Sequence, residues 1–284
     1  MISRVVAGGV AWVVMGSLAI LALTAPDHLS DANREFAFRG PFAGVDDAGV
    51  AVAGVLPFGT DQLGRSLLQY AQQGASVVVG PAIAAGLLVA ALSTLGGLLR
   101  CVGSQRIDAT IQGFGEVVGA LPRMVVILVA ALLIPSTARG LLPLALVWAV
   151  LAAPSAMDEA AAVAERLGGA RFVEALRAHG FSWTRIFLYH IVALNLRPVV
   201  VRQGAEVLLQ VTFLELGLSY LAVQDSQSSF THSDSLKSWA DLLYMGYTSI
   251  GLGMPTAHAL VLGLALVATV TLMAKATTTL VRAR

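Results

Sequence analysis

The sequence predicts an all-α, polytopic membrane protein with about six transmembrane helices, and two observations carry that prediction. Of 284 residues, 57% are hydrophobic and 12% charged, about half the charged share of a soluble domain. The apolar residues also fall in runs of about 20, the length needed to cross a hydrocarbon core of about 30 Å. A soluble domain of this composition would expose large apolar patches. The first expected partner is therefore the lipid bilayer. The net charge of +1 says nothing about nucleic acid, but the sequence has no basic cluster of the kind that binding needs, so no nucleic acid partner is expected. A single cysteine, Cys101, excludes an intrachain disulfide.

The first transmembrane helix is expected within residues 1–24, from Val5 to Leu23, ending at Pro26-Asp27. Arg4 before it and Thr24-Ala25 after it resemble a signal peptide. Five further spans favour an uncleaved helix. Residues 25–75 form an external segment rich in Asp, Arg and Gly. Within it, Pro57 to Arg65 reads as a turn and helix start, with Thr60 or Asp61 as N-cap. Leu63, Leu67, Leu68 and Tyr70 then give a short amphipathic helix on the membrane surface.

The main membrane region is residues 76–278, with a short tail at 279–284. Span two is 76–99, with Pro81 early and Gly96-Gly97 late, followed by a loop holding Arg100, Cys101 and Arg106. Span three is 107–134 and carries Glu116, Arg123 and a ladder of Gly115 and Gly119, a spacing that brings helix backbones close. Span four is 141–156, broken near Pro154. The polar loop 157–190 holds Asp158, Glu159, Glu165 and Arg166 on one helical piece, then Gly168-Gly169. A second helix follows at 170–179, with Phe172, Val173 and Leu176 on one side and Arg171, Glu174 and Arg177 on the other. Gly180 is placed to close it, and Ser182 to cap the next. Span five is 191–223; the external loop 224–248 is serine-rich and returns amphipathically from Trp239. Span six is 250–274.

Basic residues set the orientation. Arg4, Arg100, Arg106, Arg166, Arg171, Arg177, Arg185, Lys275, Arg282 and Arg284 fall on one side. Arg34, Arg39, Arg65, Arg139 and Lys237 fall on the other, ten against five, with Arg123, Arg197 and Arg202 inside spans. The excess places both termini, and the Glu174 helix, in the cytoplasm.

Enzyme signatures are absent. There is no phosphate loop, HExxH or GxSxG, and the five histidines share no metal-binding spacing. No catalytic residue, metal site or cofactor is expected in this chain. Charge within spans is what remains, and such groups either tie helices together or line a pathway. Glu116 and Arg123 lie seven apart on one helix face. Arg202 and Glu206 are placed to pair at i, i+4. Glu215 has no partner in its own helix.

A resemblance enters at these residues. Glu174-Ala175-Leu176-Arg177-Ala178-His179-Gly180, with Ile191 eleven residues on, resembles the EAA loop of binding-protein-dependent ABC importer permeases. Gly59-Thr60-Asp61-Gln62-Leu63-Gly64-Arg65 resembles the GTDxLGRD segment of the dipeptide/oligopeptide/nickel branch, in its C-type permease. Glu215 to Leu221 is similar to that branch's EASLSFLG segment, and Ser238-Trp239-Ala240 to its SWG. The chain departs from the pattern at Ser66 (Asp in the family), at Ala193 (Pro) and in its short C-terminal tail. Asp158-Glu159-Ala160-Ala161 looks like a second EAA without the following glycine.

The resemblance implies half of a translocation path across the cell inner membrane, shared with a second permease subunit. One or two ATPase subunits would supply ATP and Mg, with Glu174, Ala175, Arg177, Gly180 and Trp183 coupling to one of them. An extracytoplasmic substrate-binding protein would dock outside, near the Gly59, Thr60, Asp61, Gly64 and Arg65 motif. Peptides or peptide-like solutes are the implied cargo. Nickel or another small solute, or a scaffold or channel without an ATPase, are the alternatives.

Overall fold

The computed structural model describes residues 2–32, 34–41, 43–45, 51–102, 105–135, 140–168, 171–182, 185, 186, 189, 197–224, 237–254 and 257–282. The apolar runs become helices, but often past their expected limits. Helix α1 is Ile2–Leu23. After it, β1 (Ala43–Val45) pairs antiparallel with β2 (Ala51–Leu56), a small exception to the all-α expectation.

Helix α2 is Leu67–Val102, 36 residues, or about 54 Å at 1.5 Å per residue. The expected surface helix and span two are thus one helix, and Arg100 and Cys101 form its last turn instead of a loop. Gln69, Gln72 and Gln73 are good helix formers, and Pro81 sits inside without ending it. The N-cap is neither Thr60 nor Asp61. Ser66 is: its Oγ accepts from Leu68 N–H at 3.3 Å. Aspartate at this position would serve equally, so the departure at Ser66 is conservative. Ser66→Ala is expected to cost about 1 kcal/mol and Ser66→Asp almost nothing, read as thermal midpoints in detergent.

The third span is two helices. α3 (Gln105–Ala120) and α4 (Arg123–Leu133) meet at 82°. Pro122 causes the break, with φ −65° and ψ 105°. Proline cannot donate to the helix ladder, and it drives the preceding Leu121 out of helical geometry. Pro154, by contrast, does not interrupt α5, which runs through the expected loop start as Leu141–Gly168.

Helix α6 is Arg171–Ala178, α7 is Arg197–Gln224, α8 is Trp239–Gly251 and α9 is Ala257–Arg282. Span six therefore starts later than expected, and Ile250 belongs to α8. Ser238 caps α8 through a full capping box with Asp241. Gly253, at φ +68°, closes it. Gly253 N–H reaches Ile250 O at 3.3 Å and Met254 N–H reaches Ser249 O at 2.8 Å, the paired bonds of a Schellman ending.

α2 is the central rod. It packs along α5 and α7, while α9 packs on α8, α7 and α1, and α3 and α4 lie against α5. Glycines set the closest approaches. A Cβ on Gly97 would stand 2.8 Å from Ala160 Cβ, and one on Gly96 2.5 Å from Met157 Cγ. The expected ladder does not form: Gly115 meets Pro154 at 3.4 Å, and Gly119 meets nothing within 4 Å.

Among the described residues three helices are long and apolar enough to span: Leu67–Gly97, Leu141–Val163 and Ala257–Thr278. The bent α3–α4 pair makes a fourth if it is one span. The chain is an all-α membrane protein with three to four such candidates, against the six expected. The described apolar part of α1, Val13–Leu23, is shorter than a span. α7 carries Arg197, Arg202, Glu206 and Glu215, which dilute its apolar character.

Candidate functional site

The Glu174 helix is built as its sequence implies. α6 has Glu174 in its first turn and Arg177 in its last, the charge order the helix dipole favours. Gly180, at φ +81°, ends it. Gly180 N–H donates to Arg177 O at 2.9 Å and Phe181 N–H to Leu176 O at 3.1 Å, a second Schellman ending. Ser182 Oγ then accepts from Arg185 N–H at 3.4 Å, as a cap for the next segment. Glu174, Ala175, Arg177 and Gly180 are all exposed, so α6 presents them outward. His179 is exposed, with Nδ1 2.7 Å from Ala175 O. Trp183, His190 and residues 191–196 lie outside the described residues.

The charged residues regroup. Glu116 and Arg123 fall on opposite sides of the Pro122 bend, so they do not share a helix face. Arg202 does stand near Glu206, Nε to Oε1 3.8 Å. Its hydrogen-bonded partner is Glu159 on α5, whose Oε2 accepts from Arg202 Nη2. Gln203 Nε2 donates to the same oxygen at 2.6 Å. Glu159 therefore grips two successive residues of α7 from across the bundle. Sequence spacing could not reveal it, since the partners are 43 residues apart.

Glu215 is fully buried on α7. Contrary to expectation it has a partner in its own helix: Ser219 Oγ donates to Oε1 at 2.8 Å. Ser238 and Asp241, at the start of α8, lie close by.

At the start of α2, the Gly59 to Arg65 motif forms a hydrogen-bonded knot. Thr60 and Asp61 are buried. Thr60 N–H donates to Arg39 O at 3.0 Å, Arg39 N–H returns to Thr60 Oγ1 at 2.9 Å, and that hydroxyl donates to Phe36 O. Asp61 Oδ1 accepts from Leu63 and Arg65 N–H, each at 2.8 Å, and Oδ2 accepts from Tyr70 OH at 2.8 Å. Gly59 and Gly64 both adopt φ +79°. A Cβ on Gly59 would stand 2.4 Å from Arg39 O, so glycine is required there. The motif is a turn that anchors the start of α2. Asp61 caps this turn where a helix cap was expected.

Trp239 completes this end. It is fully buried, and its Nε1–H donates to Ala71 O at 3.0 Å. Gln73 bridges Pro26 O and Lys237 N–H, each at 3.0 Å. Beside the knot, a pocket of about 190 Å³ is lined by Tyr70, Lys237, Asp241, Tyr244 and Ser249 among others. An apolar pocket of about 200 Å³ lies between α4 and α7, at Met124, Leu128, Phe213 and Leu218. Met124 itself is largely exposed. Among the described residues no His, Cys, Asp and Glu group could hold a metal ion.

No family model matches the chain. It is 30% identical over 172 residues to the probable D,D-dipeptide transport system permease protein DdpC of Escherichia coli (strain K12), across 57% of this chain and 54% of that protein. The chain is a distant homologue of that permease. It spans about half the length of this curated relative. A solved structure of the MetNI methionine ABC transporter, in an inward-facing conformation, superposes with a TM-score of 0.49 at 17% identity. That superposition covers 75% of this chain and 95% of the other. A likeness of this size carries no functional conclusion.

Proposed function

We propose that the chain is a permease subunit of an ATP-driven ABC importer in the cell inner membrane. The homology over 172 residues carries this reading. The exposed α6, closed by its Schellman ending, supports it, because a short helix on a loop suits a partner's groove. On this reading the chain crosses the membrane about six times, with both termini and α6 in the cytoplasm. Glu174, Ala175, Arg177, Gly180 and Trp183 face an ATPase subunit, which binds the ATP and Mg. A second permease completes the path, and an extracytoplasmic binding protein delivers the solute. Peptides or peptide-like solutes fit the D,D-dipeptide transport ascribed to the homologue. The chain itself performs no catalysis.

The test is a mild-detergent pull-down from the native membrane. Recovery of a second permease and an ATPase with a phosphate loop is expected. Recovery of the chain alone would overturn the reading in favour of a scaffold or channel. Glu174→Arg and Gly180→Trp are expected to lose the ATPase from the pull-down while the protein still inserts. Gly180→Trp acts by forcing an L side chain into φ +81°. Full retention of the ATPase by both variants would count against α6 as the coupling element.

A further inference from the structure

We propose that Glu159 and Arg202 form a switchable clasp that passes the motion of α6 to α7, with Arg202 as its positioning residue and Glu206 as its alternative acceptor. This inference rests on the permease reading and adds to it the route by which the loop moves the membrane helices.

α6 lies in the segment between α5 and α7, and the clasp closes that segment at its base. On the α5 side the base is rigid. Gly96 and Gly97 of α2 let Met157, Ala160 and Ala161 approach to near contact, on both sides of Glu159 in sequence. Glu159 is thus presented from a helix that cannot easily slide against α2. On the α7 side the hold is looser. A Cβ on Gly86 would meet the backbone of Gly204 at 3.7 Å, ordinary contact distance. A push on α6 therefore meets a tightly anchored α5 and an α7 held to it by this carboxylate and, further along, by Trp148 Nε1–H donating to Gln210 Oε1 at 2.8 Å.

That carboxylate holds Arg202 and Gln203 together. Arg202 is poised between two acids. It engages Glu159 across the bundle, and Glu206 waits one turn along its own helix at 3.8 Å. Its buried Nε has no hydrogen-bond partner, so the guanidinium has an unused donor on the Glu206 side. Opening a half-buried ion pair ordinarily strands a charge at high cost. Here a small rotation of α7 turns the guanidinium from Glu159 to Glu206, so Arg202 keeps a counter-charge in both positions, and the acid it leaves is partly exposed in either case and takes up water. Two states separated by a short movement are what a coupling element needs.

The test uses the whole complex with its ATPase, reconstituted in vesicles. D,D-dipeptide uptake and ATP hydrolysis are measured together for wild type, Glu159→Gln, Glu206→Gln and the exchange Glu159→Arg with Arg202→Glu. Solute moved per ATP is expected to fall roughly tenfold in Glu159→Gln, with assembly intact and hydrolysis continuing. Glu206→Gln removes the alternative acceptor, so it is expected to slow uptake and hydrolysis together. The exchange restores the interhelical pair but sets an acid beside Glu206 and removes the cation they would share, so it is expected to keep assembly without recovering the coupling. A wild-type solute-to-ATP ratio in Glu159→Gln, or wild-type rates in Glu206→Gln, would overturn the clasp and leave the permease reading intact. Loss of assembly in Glu159→Gln would also overturn it, since the pair would then be a structural tie. A wild-type complex that yields no ATPase would overturn both readings.

Discussion

Asp61→Ala is expected to lower stability by about 3–5 kcal/mol, because one carboxylate loses three hydrogen bonds at once. Its Oδ1 holds the Leu63 and Arg65 amides and its Oδ2 the Tyr70 hydroxyl, all at 2.8 Å. The side chain is almost fully buried, so water cannot easily replace these bonds. Truncation would leave the Tyr70 hydroxyl without its acceptor and loosen the turn that starts α2. Asp61→Asn keeps the carbonyl for the two amides and can donate its NH2 to the Tyr70 oxygen. It is expected to cost about 1–2 kcal/mol. Tyr70→Phe removes one of the three bonds and should cost about the same. Thermal unfolding in detergent would rank the three variants. If Asp61→Ala proved no worse than Tyr70→Phe, the two amide bonds would contribute nothing, and the knot would not be held by this carboxylate.

The order of these features tracks how local each one is. The Schellman ending at Gly180 and the Ser182 cap were legible because each needs only a few adjacent residues. The same locality misled at Asp61. Aspartate and serine are both good cap residues, and nothing in the sequence says that Asp61 is consumed by its own turn while Ser66 caps α2. Proline was ambiguous in the same way. Pro81 and Pro154 sit inside helices, whereas Pro122 breaks one. Least legible were contacts set by helix register. The Glu159 to Arg202 bond requires knowing which faces of α5 and α7 oppose each other. The glycine ladder at Gly115 and Gly119 had a suitable spacing but no helix against Gly119. Among the described residues the count of spans turns on the bend at Pro122, which a run of apolar residues does not reveal.

The second large effect is expected at the joint between α2 and α8, where Gly74 receives Trp239. A Cβ on Gly74 would stand 2.2 Å from Trp239 Cδ1 and 2.8 Å from its backbone nitrogen. Both are too close for any real side chain, so Gly74→Ala must displace the indole. Overpacking of this kind costs about 1–3 kcal/mol, and the upper end is expected because the backbone of Trp239 is involved. Trp239→Ala is expected to cost about 3–5 kcal/mol, from the cavity left by a fully buried indole. It also loses the bond to Ala71 O. The informative measurement is the double variant. Removing the indole makes room for the methyl group introduced by Gly74→Ala, so the combined loss should fall short of the sum of the two by about 1–2 kcal/mol. The recovery stays partial because the backbone nitrogen of residue 239 remains in place. Strict additivity would mean that Trp239 does not fill the Gly74 notch.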